Sequence, residues 1–305
     1  MQNPERTYAK PNFTSIKSSF SSDGIQCAAT LRLAVDSAKP MPAILMVHGW
    51  GGVQDALTPP FYEEFCRAGF AVMTFDYRGW GESEGVLRNA INPKQRVRDA
   101  NAALEHLKSF PEIDSKKIVL WGSSFGGGHV IELAAEHHDL LGAIAHVPML
   151  NGMLAVRAVP PLRLLRFGLY ALADLVKIGQ PIYLPVVSKP GEFGSMDRDD
   201  AYQAMMLAKE ATKSDYDNRV TARSLLNMGP YRPGKRLKDI RVPLLIIGGT
   251  RDSVAPFDEN TIRKANNPCI QIRTVEANHF EPYFEPTFST SIEYQLTFLR
   301  SLQES

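Results

Sequence analysis

The sequence predicts an α/β fold: a doubly wound, mostly parallel sheet carrying an inserted helical lid. Three observations predict it. Short continuous apolar runs recur along the chain, separated by stretches with helical spacing. That rhythm fails between Val147 and Leu244, where only helical patterns and one Pro/Gly-rich bend are found. The run Lys117–Trp121 leads directly into Gly122-Ser123-Ser124-Phe125-Gly126 and then into another helical pattern, an order of strand, sharp turn and helix.

Taken in order, Ser15–Ser22 and Ile25–Val35 read as strands, the second alternating more clearly than the first. Ser22-Asp23-Gly24 between them is a hairpin signal, and the pair is expected to form an antiparallel edge. Ala43–Val47, Ala71–Phe75, Ile118–Trp121, Ala143–Val147 and Leu244–Ile247 are continuous apolar runs, the mark of strands covered on both faces. Pro60–Ala68, Pro93–Lys108 and Gly127–His137 are the intervening helices. Beyond Val147, helices are expected over Pro161–Ile178, Asp199–Thr212 and Ser214–Asn227, with the bend Pro181–Gly194 between the first two. A structureless loop of that length would be out of keeping with a compact domain. A last strand, Cys269–Thr274, and a helix, Phe288–Leu302, follow. The expected organisation is a sheet core over 1–148, a lid over 149–240 and the rest of the core over 241–305.

Composition excludes several function classes. With 34 basic and 33 acidic residues the net charge is +1, which gives no electrostatic basis for binding nucleic acid or an anionic membrane. Cys27, Cys66 and Cys269 are too few and too scattered for a disulfide framework. That usage fits a reducing compartment, and a cytoplasmic location is expected. Met1–Asn12 is polar and lacks the basic-then-apolar build of a signal peptide. The most apolar region, Val159–Val187, is broken by Arg163, Arg166, Asp174 and Lys177, so no membrane span is expected. There is neither a dinucleotide-binding glycine motif nor a Walker lysine, and His129 with Glu132 falls short of a metal set, so no cofactor is expected. A homodimer is compatible with the sequence, but no feature compels it.

The chemistry centres on the turn. A serine there is forced into a strained conformation, and its neighbours must be small; Gly122 and Gly126 supply that room. Ser124 holds the third position of the motif and is the candidate nucleophile. A serine hydroxyl needs a base, and the base needs an orienting carboxylate. Asp252 lies in Gly248-Gly249-Thr250-Arg251-Asp252, directly after an apolar strand. The competing acid position, residues 148–153, contains no carboxylate. His279 is the only one of seven histidines that follows both Ser124 and Asp252; His146, at a strand end, is the alternative base. His48-Gly49-Trp50-Gly51-Gly52 ends another strand. It suits one backbone N–H donor of an oxyanion hole, from Trp50, with Phe125 supplying the other. His48 itself reads as structural. Asp76-Tyr77-Arg78-Gly79-Trp80-Gly81-Glu82-Ser83 reads as a structural turn held near the cleft by ion pairs.

These motifs, in this order, resemble the α/β-hydrolase superfamily. Within it the chain is similar to the branch of dienelactone hydrolases and acyl-peptidases, which includes esterases, thioesterases and polyketide acyl transferases. Dienelactone hydrolases proper carry a cysteine where this chain has Ser124, and the peptidases carry a β-propeller for which this chain has no length. Superfamily members with an aspartate at the elbow, haloalkane dehalogenases and epoxide hydrolases, are disfavoured on the same ground. The resemblance implies cleavage of a small-molecule ester or thioester through an acyl-serine. Acyl transfer with the same residues is the second reading, and a non-catalytic ligand cup the third. Leu162, Leu164, Leu165, Phe167, Leu169, Tyr170, Leu172 and Leu175 exceed what one helix face can bury. They are expected to line an acyl pocket or to pack the lid against the core.

Overall fold

The protein is described from a computed structural model covering residues 13–35, 37–177, 179–214 and 216–304. The expectation for Met1–Asn12 therefore lies outside the described residues. The chain opens with β1 (Phe13–Ser22) and β2 (Ile25–Ala34), paired antiparallel along their whole length. There follow β3 (Met41–Val47), α1 (Pro59–Arg67), β4 (Ala71–Phe75), α2 (Pro93–Lys108), β5 (Ile113–Ser123), α3 (Phe125–Ala134) and β6 (Gly142–His146). After a long excursion come β9 (Leu244–Gly249), α7 (Glu259–Ala265), β10 (Ile270–Val275) and α8 (Thr287–Gln303).

The eight-stranded sheet has the order β1-β2-β4-β3-β5-β6-β9-β10. Only β2 runs against its neighbours; the other pairings are parallel. The continuous apolar runs become its buried centre: every residue of Ala43–Val47, Ala71–Phe75 and Ile118–Trp121 is buried. From β3 the chain steps to one side to make β4, then crosses back to the other side to make β5. That reversal leaves a crevice beyond the carboxyl ends of β3 and β5, where an open α/β sheet holds its ligands. The helix that bridges the crossover starts firmly. Asn92 caps α2 by accepting from the Lys94 and Gln95 amides, and Pro93 pre-sets the first turn.

The excursion between β6 and β9 differs from expectation in detail. It contains α4 (Gly152–Arg157), α5 (Pro161–Val176), β7 (Tyr183–Pro185), α6 (Ala201–Thr212) and β8 (Arg219–Thr221). The helix expected over Ser214–Asn227 is replaced by β8 and a 3-10 segment, Ala222–Asn227. The cause is tertiary: Tyr183–Pro185 pairs antiparallel with Arg219–Thr221 and draws those residues into extended backbone. The α5 leucines divide unequally. Phe167 is buried, but Leu162, Leu165, Leu169 and Leu172 are at least 59% exposed, so most neither line a pocket nor pack on the core. Among the described residues, no helix is long and apolar enough to cross a membrane. Cys27 and Cys66 are buried, and burial pushes each thiol up to about 12.

The loop after β4 is held by buried charge. Asp76 accepts from the Gln54 amide at 2.8 Å, from Gln54 Nε2 at 3.1 Å and from the Glu82 amide at 3.1 Å. Arg78 pairs with Asp99 of α2 at 2.5 Å and with Asp23 of the β1–β2 turn at 3.0 Å. Asp99 is fully buried and also accepts from Ser22 at 2.7 Å. One carboxylate thus fastens three segments. Asp99→Asn should destabilise the fold by about 3 kcal/mol, because it leaves a mostly buried guanidinium short of its counter-charge. Urea unfolding at pH 7 measures this, and a loss below about 1 kcal/mol would mean that the pairing is dispensable.

Candidate active site

The Ser124 turn is strained, and its surroundings explain how the strain is held. Ser124 has φ 56°, in the left-handed region. Its amide donates to the His146 carbonyl at 2.9 Å, and its carbonyl accepts from the Met149 amide at 2.8 Å. A Cβ on Gly122 would strike the Gly126 carbonyl and Val130, and one on Gly126 would strike the Val47 and His48 carbonyls. Both glycines are required by close approach of α3 to β5 and β3.

The loops after β9 and β10 bring Asp252 and His279 to this turn. His279 Nε2 lies 2.9 Å from Ser124 Oγ, and His279 Nδ1 lies 2.6 Å from Asp252 Oδ2. The other Asp252 oxygen accepts from the Val254 and Ala255 amides at 3.0 and 2.7 Å, which fixes the carboxylate plane. His279 and Asp252 are buried, while Ser124 is partly open to the cleft. A hydroxyl bonded to an imidazole that is itself held by a carboxylate can pass its proton to that imidazole and attack an electrophile.

Trp50 and Phe125 flank Ser124, and neither backbone N–H has an acceptor among the described residues. Their rings meet edge to face at 5.2 Å. The Trp50 indole donates to Ser195 Oγ at 3.1 Å, which ties this loop to the excursion.

The alternative base is placed elsewhere. His146 faces Ser291 at 3.0 Å and stacks on Trp121, with no side-chain contact to Ser124. Burial, with His279 adding to it, depresses its pKa to about 3. His48 is likewise buried and packs edge-on against Tyr77, and burial with the nearby Arg96 charge depresses it to about 3. Neither is poised to take a proton at neutral pH.

Sequence reasoning missed Asp199. This residue of the excursion, with φ 53°, accepts from the Ser253 amide at 2.8 Å, Ser253 Oγ at 2.6 Å and the His279 amide at 3.3 Å. It braces the acid loop and the base loop together. No local signal marks it, since one aspartate in Asp197-Arg198-Asp199-Asp200 looks like the next.

Two cavities meet at Ser124. The larger, about 270 Å³, is lined by Met149, Val156, Leu164, Phe167 and Leu225 among others. The smaller, about 40 Å³, lies between Trp50, Trp121, His279 and Met205. The first is apolar apart from Ser124, Ser195, Arg198 and Ser253.

A sheet with one reversed strand, with a serine on a strained turn between β5 and α3, has the architecture of an α/β hydrolase. The chain belongs to the serine aminopeptidase S33 family, which it matches over residues 38–279. It is 34% identical over 290 residues to the quorum-quenching protein AidA of Acinetobacter baumannii, covering 93% of each chain. It is 27% identical to the thiohydrolase aneE of Aspergillus aculeatus over 269 residues, 84% of this chain and 81% of that one. Among solved structures, the α/β hydrolase GrgF from Penicillium sp. superposes with a TM-score of 0.77 at 22% identity, over 96% of this chain and 100% of that one.

The buried histidines carry a pH signature. A group whose folded pKa lies below its unfolded value binds more protons unfolded. Its contribution is therefore intact above the unfolded pKa of 6.5 and is lost as pH falls toward about 3. At pH 5, His146 accounts for about 2 kcal/mol of lost stability. His146→Gln should reduce the drop in unfolding free energy between pH 7 and pH 5 by that amount. An unchanged drop in urea titrations at the two pH values would contradict the assignment.

Proposed function

We propose that the protein is a serine hydrolase that cleaves an ester or thioester with an apolar acyl group through an acyl-Ser124 intermediate. The observation that carries this reading is the Ser124–His279–Asp252 relay opening onto an apolar cavity of about 270 Å³. His279 Nε2 takes the Ser124 proton as Oγ attacks the acyl carbon, and the carbonyl electron pair moves onto oxygen. The Trp50 and Phe125 amides receive that oxyanion. The pair returns, the bond to the leaving group breaks, and His279 delivers its proton to the departing oxygen or sulfur. Asp252 holds the imidazole in the required tautomer and faces the imidazolium as it forms. Water then repeats the sequence and releases the acid.

The cavity supports an acyl chain longer than acetyl, because its apolar walls reward each methylene buried. In this reading residues 149–240 act as a lid whose inner face, not its exposed leucines, shapes the pocket. The thiohydrolase relative supports thioesters as substrates. Acyl transfer differs only in what resolves the acyl-enzyme, and product analysis with an added alcohol or amine separates it from hydrolysis.

Ser124→Ala should lower turnover about 10³-fold or more without loss of fold, and Asp252→Asn should lower it about 10⁴-fold. Near-parental rates in Ser124→Ala would refute the covalent mechanism. Fluorophosphonate labelling that depends on Ser124 distinguishes an enzyme from a ligand cup; absence of labelling favours the cup. With p-nitrophenyl esters, octanoate should exceed acetate in kcat/KM by at least about tenfold, and a preference for acetate would place the acyl group outside the large cavity.

A further inference from the structure

Arg96 has a role that the proposed machinery does not explain by itself. It lies on α2 and is 2% exposed. Its guanidinium sits over the rings of Tyr77 and Trp80, at 4.3 and 5.2 Å from their centroids. No carboxylate among the described residues is within ion-pair distance, and Nε and Nη2 have no hydrogen-bond partner. An unpaired buried cation is costly, and ring faces offset only part of that cost. Its single hydrogen bond, from Nη1, goes to the Gly49 carbonyl at 2.9 Å.

That carbonyl belongs to the same peptide unit as the Trp50 N–H. The cis peptides among the described residues are at Lys39–Pro40 and Glu285–Pro286, so the Gly49–Trp50 peptide is trans. In a trans peptide the C=O and N–H vectors point in opposite directions. Holding the oxygen toward Arg96 therefore turns the hydrogen away from it. The peptide passes directly over the strained turn: a Cβ on Gly49 would lie 3.0 Å from Ser124 Cβ. Left alone, this unit has little to choose one orientation over its flipped alternative: a flip turns on ψ of Gly49 and φ of Trp50, Gly49 leaves the first torsion free, and the Gly52 amide reaches the same oxygen only at 3.4 Å.

We propose that Arg96 is a positioning residue that locks the Gly49–Trp50 peptide with its N–H directed at the Ser124 side of the cleft. The cation on the carbonyl end also polarises the amide, which strengthens its N–H as a donor to a developing oxyanion. The inference rests on the acyl-serine reading above. It assigns to one buried side chain the pre-organisation of half the oxyanion hole.

The test separates transition-state from ground-state binding. An alkyl trifluoromethyl ketone adds Ser124 Oγ to its carbonyl carbon, sends the serine proton to His279 and leaves an oxyanion. The matching alkyl methyl ketone of the same chain length occupies the cavity without that step. In Arg96→Met, kcat on p-nitrophenyl octanoate and affinity for the trifluoromethyl ketone should fall together, by about 10- to 100-fold, somewhat less than deletion of a donor. KM and affinity for the methyl ketone should stay within about twofold of the parent, because neither engages the hole. Arg96→Lys, which keeps a cationic donor, should recover part of the loss. Parental affinity for the trifluoromethyl ketone in Arg96→Met, or equal weakening of both ketones, overturns the proposal. If Arg96→Met does not fold, Arg96→Lys and Arg96→Gln carry the comparison, and identical affinities in both and in the parent overturn it. Loss of activity in Ser124→Ala alongside unchanged ketone binding in the Arg96 variants removes only the positioning role. Retained activity in Ser124→Ala removes the acyl-serine reading itself.

Discussion

Everything at the site depends on how closely three backbone segments pass one another at the carboxyl ends of β3 and β5. Gly126 lies beneath the last carbonyls of β3, Gly122 beneath the first turn of α3, and Gly49 above Ser124. Gly122 and Gly126 have no room for a methyl group, and at Gly49 one would be tight, 3.0 Å from Ser124 Cβ. The left-handed φ at Ser124 costs on the order of 1–3 kcal/mol, and it persists because the flanking strand and helix leave the turn no other path. The gain is geometric. The hydroxyl stands clear of the sheet, and the loop after β3 is brought within reach of whatever bonds to it.

Around that crossing the protein places an unusual amount of buried charge and imidazole. Asp76, Arg96, Asp99, His48, His129 and His146 are all almost wholly buried. The acidic members are held by amides or by Arg78, so they act as struts between loops. The histidines are kept neutral by burial, and for His48 and His129 the Arg96 charge adds to the effect. Buried histidines that stay neutral, beside carboxylates fixed by amides and an arginine, form a rigid polar layer suited to holding dipoles in place.

The sheet was legible in the sequence because its centre is buried on both faces, and double burial leaves unbroken apolar runs that nothing else in the chain imitates. The strained turn was legible for a related reason: only glycine fits at 122 and 126, and both stand beside the serine. Chain order pointed to Asp252 and His279, which the fold brings to Ser124. What failed did so where distant segments decide. Residues 219–221 extend because 183–185 lie beside them, and no local pattern records that partner. The short helix α7 was missed although Asp258 caps it by accepting from the Thr261 amide, a signal hidden in a polar stretch. The α5 leucines depart from expectation because apolar content alone does not dictate burial, and one face of that helix stays in water.

Asp199 ties the excursion's fate to that of the reacting groups. Its carboxylate grips Ser253 beside Asp252 and the backbone of His279, while Ser195, Met196 and Arg198 just before it line the large cavity. A guest too bulky for that wall cannot simply push it outward. Any such shove is transmitted through one side chain to both loops that carry Asp252 and His279. Under the acyl-serine reading, fit and reactivity are thereby geared together, and an oversized molecule is penalised twice: once in docking and again in the alignment of the groups meant to act on it.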